Sequence, residues 1–198
     1  MMTSARSMAK SDRRSQLLAA AAQQMADRGY LAVRLEDIGA AAGVSGPAIY
    51  RHFSGKEALL VELLVGISTR LLAGAQSVLA DSPDARAALD GLIEFHLDFA
   101  LGEPDLIRIQ DRDLGNLPAA AQRQVRRAQR RYVEIWVSVL RRLDPGLAEA
   151  DARVMAHAAF GLLNSTPHST KAGELGRSRE VLRGMTAAAL GPDPDRRR

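Results

Sequence analysis

Arg34, Ser45, Tyr50, Arg51, His52 and Lys56 fall within one short stretch, VRLEDIGAAAGVSGPAIYRHFSGK at Val33–Lys56. Guanidinium, ammonium, imidazole and hydroxyl groups all donate hydrogen bonds. Beside the amide-rich start of a helix they suit a phosphate backbone. No catalytic arrangement competes. SGKE at Ser54–Glu57 is not a phosphate-binding P-loop, because its first glycine is replaced by Tyr50 and its magnesium-holding Ser or Thr by Glu57. Asn164-Ser165-Thr166-Pro167-His168 gathers hydrolase-like residue types, but the chain has no G-x-S-x-G elbow. The histidines include no pair at i,i+3 or i,i+4 spacing and cysteine is absent, so no metal, no cofactor and no disulfide is expected.

The elements that must position these groups read as helices throughout. No stretch alternates β-branched and aromatic residues with period two. Residues 1–9 are small and polar and predict a frayed tail. Leu17, Leu18, Ala21, Ala22 and Met25 give one apolar face to a first helix from about Ser11, which Gly29 ends. A short second helix over Leu35–Ala42, a turn at Gly43-Val44 and a third helix over Gly46–Phe53 follow. Ser45 is a suitable N-cap and Pro47 is tolerated in the first turn. Ile38, Val44, Ile49 and Phe53 are spaced to share a small core, Ala40, Ala41 and Ala42 allow close approach, and Gly43 permits the turn. Ser54 and Glu57 predict a capping box for a long fourth helix reaching about Ala80. Further helices are expected over Asp84–Leu101, Glu103–Leu114, Pro118–Leu143, Leu147–Ser165 and Arg177–Leu190, with a disordered tail over 191–198. The fold class is all-α, with about nine helices.

The chain has 198 residues, 46% hydrophobic and 25% charged, with a formal net charge of +4. That describes a globular protein with a mild lean toward polyanions. The apolar run Leu17–Ala22 is too short for a signal sequence or a membrane span, so a cytoplasmic protein with no membrane partner is expected.

A Tyr-x-His pair alone is ordinary surface. The joint spacing of Gly43, Ser45, Tyr50, Phe53 and Lys56 is more telling. The run GVSGPAIYRHFSGKEALL at Gly43–Leu60, with Gly29 ending the first helix and Asp37-Ile38 in the second, resembles the N-terminal domain of the TetR family of bacterial regulators over residues 10–65. The resemblance implies a helix-turn-helix DNA-binding domain at 10–55 and an effector-binding and dimerisation domain at 56–190. Ser45, Gly46, Pro47 and Ala48 would meet base edges, Tyr50 and His52 the backbone, and Lys56 a phosphate. Two positions depart from the pattern. Arg34 stands where Thr is frequent, and Gly46-Pro47 lacks a frequent Lys, leaving few side chains to read bases.

For an effector pocket the sequence offers Phe95, His96, Phe99, Ile109, Gln110, Asp113, Tyr132, Trp136 and Asn164, an apolar wall with sparse polar handles. The four aromatics also sit at core spacing. Arg123, Arg126, Arg127, Arg130 and Arg131 lie mostly opposite the stripe Val125–Tyr132–Trp136 and read as a solvated face, or as partners for an anionic effector such as an acyl-coenzyme A. Ala152, Ala156, Ala159, Gly161, Ala187, Ala188 and Ala189 would let helices approach closely in a homodimer.

The sequence therefore predicts a ligand-responsive repressor, not an enzyme, that binds a palindromic double-stranded DNA operator as a homodimer and is released by a small, largely apolar effector. A non-specific nucleic-acid-binding helical protein and a helical-bundle enzyme are the alternatives.

Overall fold

The computed structural model describes residues 2–44, 46–170 and 172–191. Helix is the only regular structure among them. In chain order these are α1 (Met2–Arg28), α2 (Leu35–Ala41), α3 (Gly46–Ile49), α4 (Lys56–Asp81), α5 (Ala85–Gly102), α6 (Pro104–Asp113), α7 (Ala119–Leu143), α8 (Glu149–Leu163), α9 (Thr166–Ser169) and α10 (Leu175–Leu190). Single 3-10 turns fill Leu114–Asn116 and Ala172–Glu174.

The frayed tail expected over residues 1–9 is instead helix from Met2 onward. No Gly or Pro precedes Gly29, and Met, Ala, Arg and Lys are good helix formers, so nothing in the sequence stops α1 from extending backward. The tail expected over 191–198 lies outside the described residues beyond Gly191.

The turns follow the sequence closely. Gly29 and Gly43 hold φ of 86° and 65°, the left-handed region that favours glycine. Close approach of the short helices depends on Gly39 rather than on the neighbouring alanines: a Cβ there would meet the Val44 carbonyl oxygen at 3.0 Å. The Ser54–Glu57 capping box does not form. Gly55 occupies the N-cap of α4 with extended backbone and no side-chain cap.

Two apolar clusters organise the molecule. The first joins Leu17, Met25, Ile38, Ile49 and Phe53 to Leu59, Leu60 and Leu64 of α4, and also to Ile109 of α6 and Val125 of α7. It does not stop at residue 55, so the helix-turn-helix shares its core with the rest of the chain. The second packs Leu89, Leu92, Ile93 and Leu97 of α5 against Trp136, Val139 and Leu140 of α7 and Ala152, Ala156 and Ala159 of α8. Those three alanines are therefore buried inside the subunit and are not interface residues. Leu71 of α4 packs against both clusters. By length and composition α4 is apolar enough to cross a membrane, but its apolar face is used up in these two cores.

Candidate nucleic-acid interface and effector chamber

α2 and α3 carry the groups expected to meet DNA. Arg34, Tyr50 and Arg51 are exposed, Tyr50 by 56%, and Ala48 is half-buried. The Arg34 side chain makes no cap; instead its amide donates to Asp37 Oδ2 at 3.3 Å, and that carboxylate also pairs with Arg28. This fixes the α2 N-terminus and leaves the Arg34 guanidinium to solvent. Ser45 lies outside the described residues, and of Gly46 and Pro47 only the helical backbone is described. His52 is half-buried, with its Nδ1 enclosed and unpartnered.

Lys56 corrects the sequence reading. Its Nζ donates to the carbonyls of Tyr30 at 2.9 Å, Val33 at 3.0 Å and Leu31 at 3.3 Å, and stands 4.5 Å from the centroid of the Tyr30 ring. An ammonium has three donors. All three are engaged, so Lys56 ties the start of α4 to the α1–α2 connection and has none left for a phosphate. Arg14, which the sequence reading passed over, makes a parallel tie. It donates to the His52 carbonyl at 2.7 Å, pairs with Glu62 and covers the Phe53 ring at 4.2 Å.

A cavity of about 270 Å³ lies between α4, α5, α6, α7 and α8. Of the residues proposed for a pocket, His96, Phe99, Gln110, Tyr132 and Asn164 line it, joined by Ser68, Leu71, Gln129, Val133, His157 and Phe160. Four do not. Phe95 faces α4, where its ring occupies the space a Cβ on Gly74 would need. Ile109 belongs to the first core, Trp136 is wholly buried in the second, and Asp113 points to α1. Helical spacing places Phe95 beside His96 but cannot say which adjacent face meets which neighbour.

His96 is the centre of the chamber. Its Nδ1 lies 2.9 Å from the Tyr132 hydroxyl and its Nε2 3.0 Å from Asn164 Oδ1, while Phe160 stacks on the ring at 5.3 Å. Since the Asn164 oxygen can only accept, Nε2 carries the proton and Nδ1 accepts from Tyr132. Burial lowers the His96 pKa to about 4, against a smaller upward pull from the Asn164 hydrogen bond, so the ring is neutral. Burial also pushes the Tyr132 hydroxyl upward, and it remains protonated.

A larger groove of about 570 Å³ runs between α1, α4 and the start of α6. The charged groups on its rim are already paired, Arg70 with Glu103 at 2.6 Å and Arg14 with Glu62, unlike the carboxamides that converge in the smaller chamber.

α6 links the chamber to the DNA-reading helices. Gln110 lines the cavity. Two residues on, Arg112 donates to the Met25 and Ala26 carbonyls at the end of α1. Asp113, its side chain only 5% exposed, accepts from the Tyr30 amide at 3.2 Å and from Arg112. Neither role was visible in the sequence, because the partners lie 83 to 87 residues away.

A helix-turn-helix whose core runs on into a helical body with its own chamber defines a DNA-binding regulatory protein. Residues 17–63 match the family described as bacterial regulatory proteins, tetR family, and residues 82–168 match the tetracyclin repressor-like C-terminal domain. The transcriptional activator FasR of Mycolicibacterium smegmatis is 33% identical over 148 residues, 74% of this chain and 67% of that protein. The transcriptional repressor KstR2 of Rhodococcus jostii is 28% identical over 160 residues, 79% and 77% of the two chains. AibR, solved in complex with isovaleryl coenzyme A and operator DNA, superposes with a TM-score of 0.76 at 19% identity, covering 91% of this chain and all of that one. The chain belongs to the TetR family of transcriptional regulators, which are not enzymes.

Proposed function

We propose that the protein is a cytoplasmic repressor that holds a palindromic operator as a homodimer and releases it when a small, largely apolar effector fills the chamber at His96. KstR2 supplies the precedent for repression, and AibR for an acyl-coenzyme A effector beside operator DNA. The observation that carries the reading is the position of Gln110 and Arg112–Asp113 on one short helix, one facing the chamber and the others gripping the end of α1. An effector that shifts α6 changes the support of the DNA-reading helices. It acts only through unequal affinity for two conformers, and a coupling of about 1–3 kcal/mol is enough for regulation.

The DNA-contacting set then comprises Arg34, Tyr50, Arg51 and the N-terminal end of α3, with residues 10–55 reading the operator and residues 56–190 binding effector and partner. For the homodimer, α8 and α10 pack together and expose Val154 by 68% on one and Val181 and Met185, the latter by 52%, on the other. Paired with the same helices of a second copy, they would form a four-helix interface. The five arginines of α7 are all exposed and no ion pair of theirs is present among the described residues, consistent with a solvated face that is also open to an anionic group. A gel shift on the DNA upstream of the protein's own coding sequence, with scrambled competitor, tests the proposal. Selective binding supports it; equal binding to both probes would overturn it in favour of a non-specific nucleic-acid binder.

A further inference from the structure

The chamber contains no Lys, Arg, Asp or Glu. Its polar groups are the carboxamides of Gln110, Gln129 and Asn164, the Ser68 and Tyr132 hydroxyls, and His96, with His157 at the exposed rim. Ser68 is already bonded to the Leu64 carbonyl within its own helix. The Gln110 and Gln129 carboxamides make no hydrogen bond to the described residues, and neither does the Asn164 amide nitrogen.

Asn164 turns the oxygen end of its amide to His96. Its oxygen receives the His96 Nε2 proton, and His96 Nδ1 then accepts from the Tyr132 hydroxyl. Turning the amide over would require His96 to take its other tautomer and the Tyr132 hydroxyl to reverse from donor to acceptor. The nitrogen is therefore the end left for a ligand, and it donates.

We infer that the chamber takes an uncharged group whose buried end is a hydrogen-bond acceptor, a carbonyl of the ketone, ester or thioester kind, and that Asn164, oriented by His96, is the residue that recognises it. This rests on the effector reading above and narrows its chemistry. A carboxylate entering the same space would lose its hydration with no cation to pair, and an ammonium would find no carboxylate. The protein's own imidazole is neutral there for the same physical reason. The volume limits size as well. About 270 Å³ falls just below the roughly 300–1,000 Å³ usual for drug-sized ligands, so a compact ring or a short acyl unit fits inside and anything larger must extend past the rim.

The test is calorimetric titration of the full-length protein at neutral pH with five probes on one skeleton: propylbenzene, 4-phenyl-2-butanone, methyl 3-phenylpropanoate, 3-phenylpropanoate and 3-phenylpropylamine. The ketone and ester should bind at least about tenfold more tightly than the carboxylate and the amine, the span of one lost hydrogen bond or uncompensated charge. Asn164→Leu should weaken the ketone by about tenfold more than it weakens propylbenzene. His96→Phe, which frees the amide to turn, should also shrink the ketone's advantage. A carboxylate that binds as tightly as the ketone overturns the inference while leaving the chamber as a binding site. Failure of all five probes, propylbenzene included, removes the chamber reading and the inference with it.

Discussion

The Asp113 carboxylate accepts the backbone amide of Tyr30 at 3.2 Å, across 83 residues of sequence. Tyr30 directly follows Gly29, the left-handed residue that ends α1, so this bond fixes where the first helix of the DNA-reading unit stops. Arg112 secures the same end through the Met25 and Ala26 carbonyls, the first of which also accepts the Gly29 amide at 2.9 Å. The end of α6 thus works as a cap on α1.

Asp113→Ala leaves a buried amide without an acceptor and a guanidinium without its carboxylate. A loss of about 1–3 kcal/mol in folding stability is expected. Hydrogen exchange gives the specific readout: the Tyr30 amide should exchange faster than in the parent protein, while amides of α5 and α7 keep their protection.

Lys56→Ala should behave as a stability mutant. Three charge-assisted hydrogen bonds and a ring contact disappear, for a cost of about 2–4 kcal/mol, with Lys56→Met recovering only the part due to the stem packing. Urea unfolding measures it. An unchanged midpoint accompanied by weaker operator binding would return Lys56 to a phosphate-contacting role.

Tyr50→Ala should do the opposite. An exposed side chain of this kind contributes within about 0.5 kcal/mol to stability, so the melting temperature should hold while operator affinity falls.

Acid should destabilise the protein partly through His96. Its folded pKa of about 4 lies below the unfolded value of about 6.5, so the unfolded state binds the proton more readily. The contribution is fully present above about pH 6.5, is lost as pH falls toward 4, and amounts to about 3 kcal/mol. His96→Gln should flatten the stability profile between those limits, relative to the parent measured alongside.

Gly74→Ala should be costly for its type. A Cβ at that point would sit 2.1 Å from the Phe95 ring, and overpacking of this kind costs about 1–3 kcal/mol. Thermal unfolding of the variant beside Gly66→Ala, where the space is open, isolates the contact.

The DNA-reading segment was legible in the sequence because its signal is local. Gly43, Ile38, Ile49 and Phe53 lie within one or two helical turns of their partners, and periodicity reports such contacts directly. Lys56 and Asp113 were misread because a charged residue's partners depend on which helices meet, which spacing within one helix does not encode. The chamber was half legible for the same reason. His96 and Phe99 face it from α5, while Phe95, one residue away, turns toward Gly74. The buried alanines of α8 were ambiguous because small residues serve close packing equally well within a subunit and between two.

α4 has a mechanical consequence. It runs without a proline from the Lys56 tie to Leu71 in the chamber wall, about 22 Å away at 1.5 Å per residue. Such a rod acts as a lever arm. A tilt of about 5° at the chamber carries the near end through about 2 Å, and two symmetry-related copies double the mismatch against a half-site spacing of about 34–36 Å. An effector therefore need not unfold anything to release DNA; a small rotation of one straight helix, multiplied by its length, is enough.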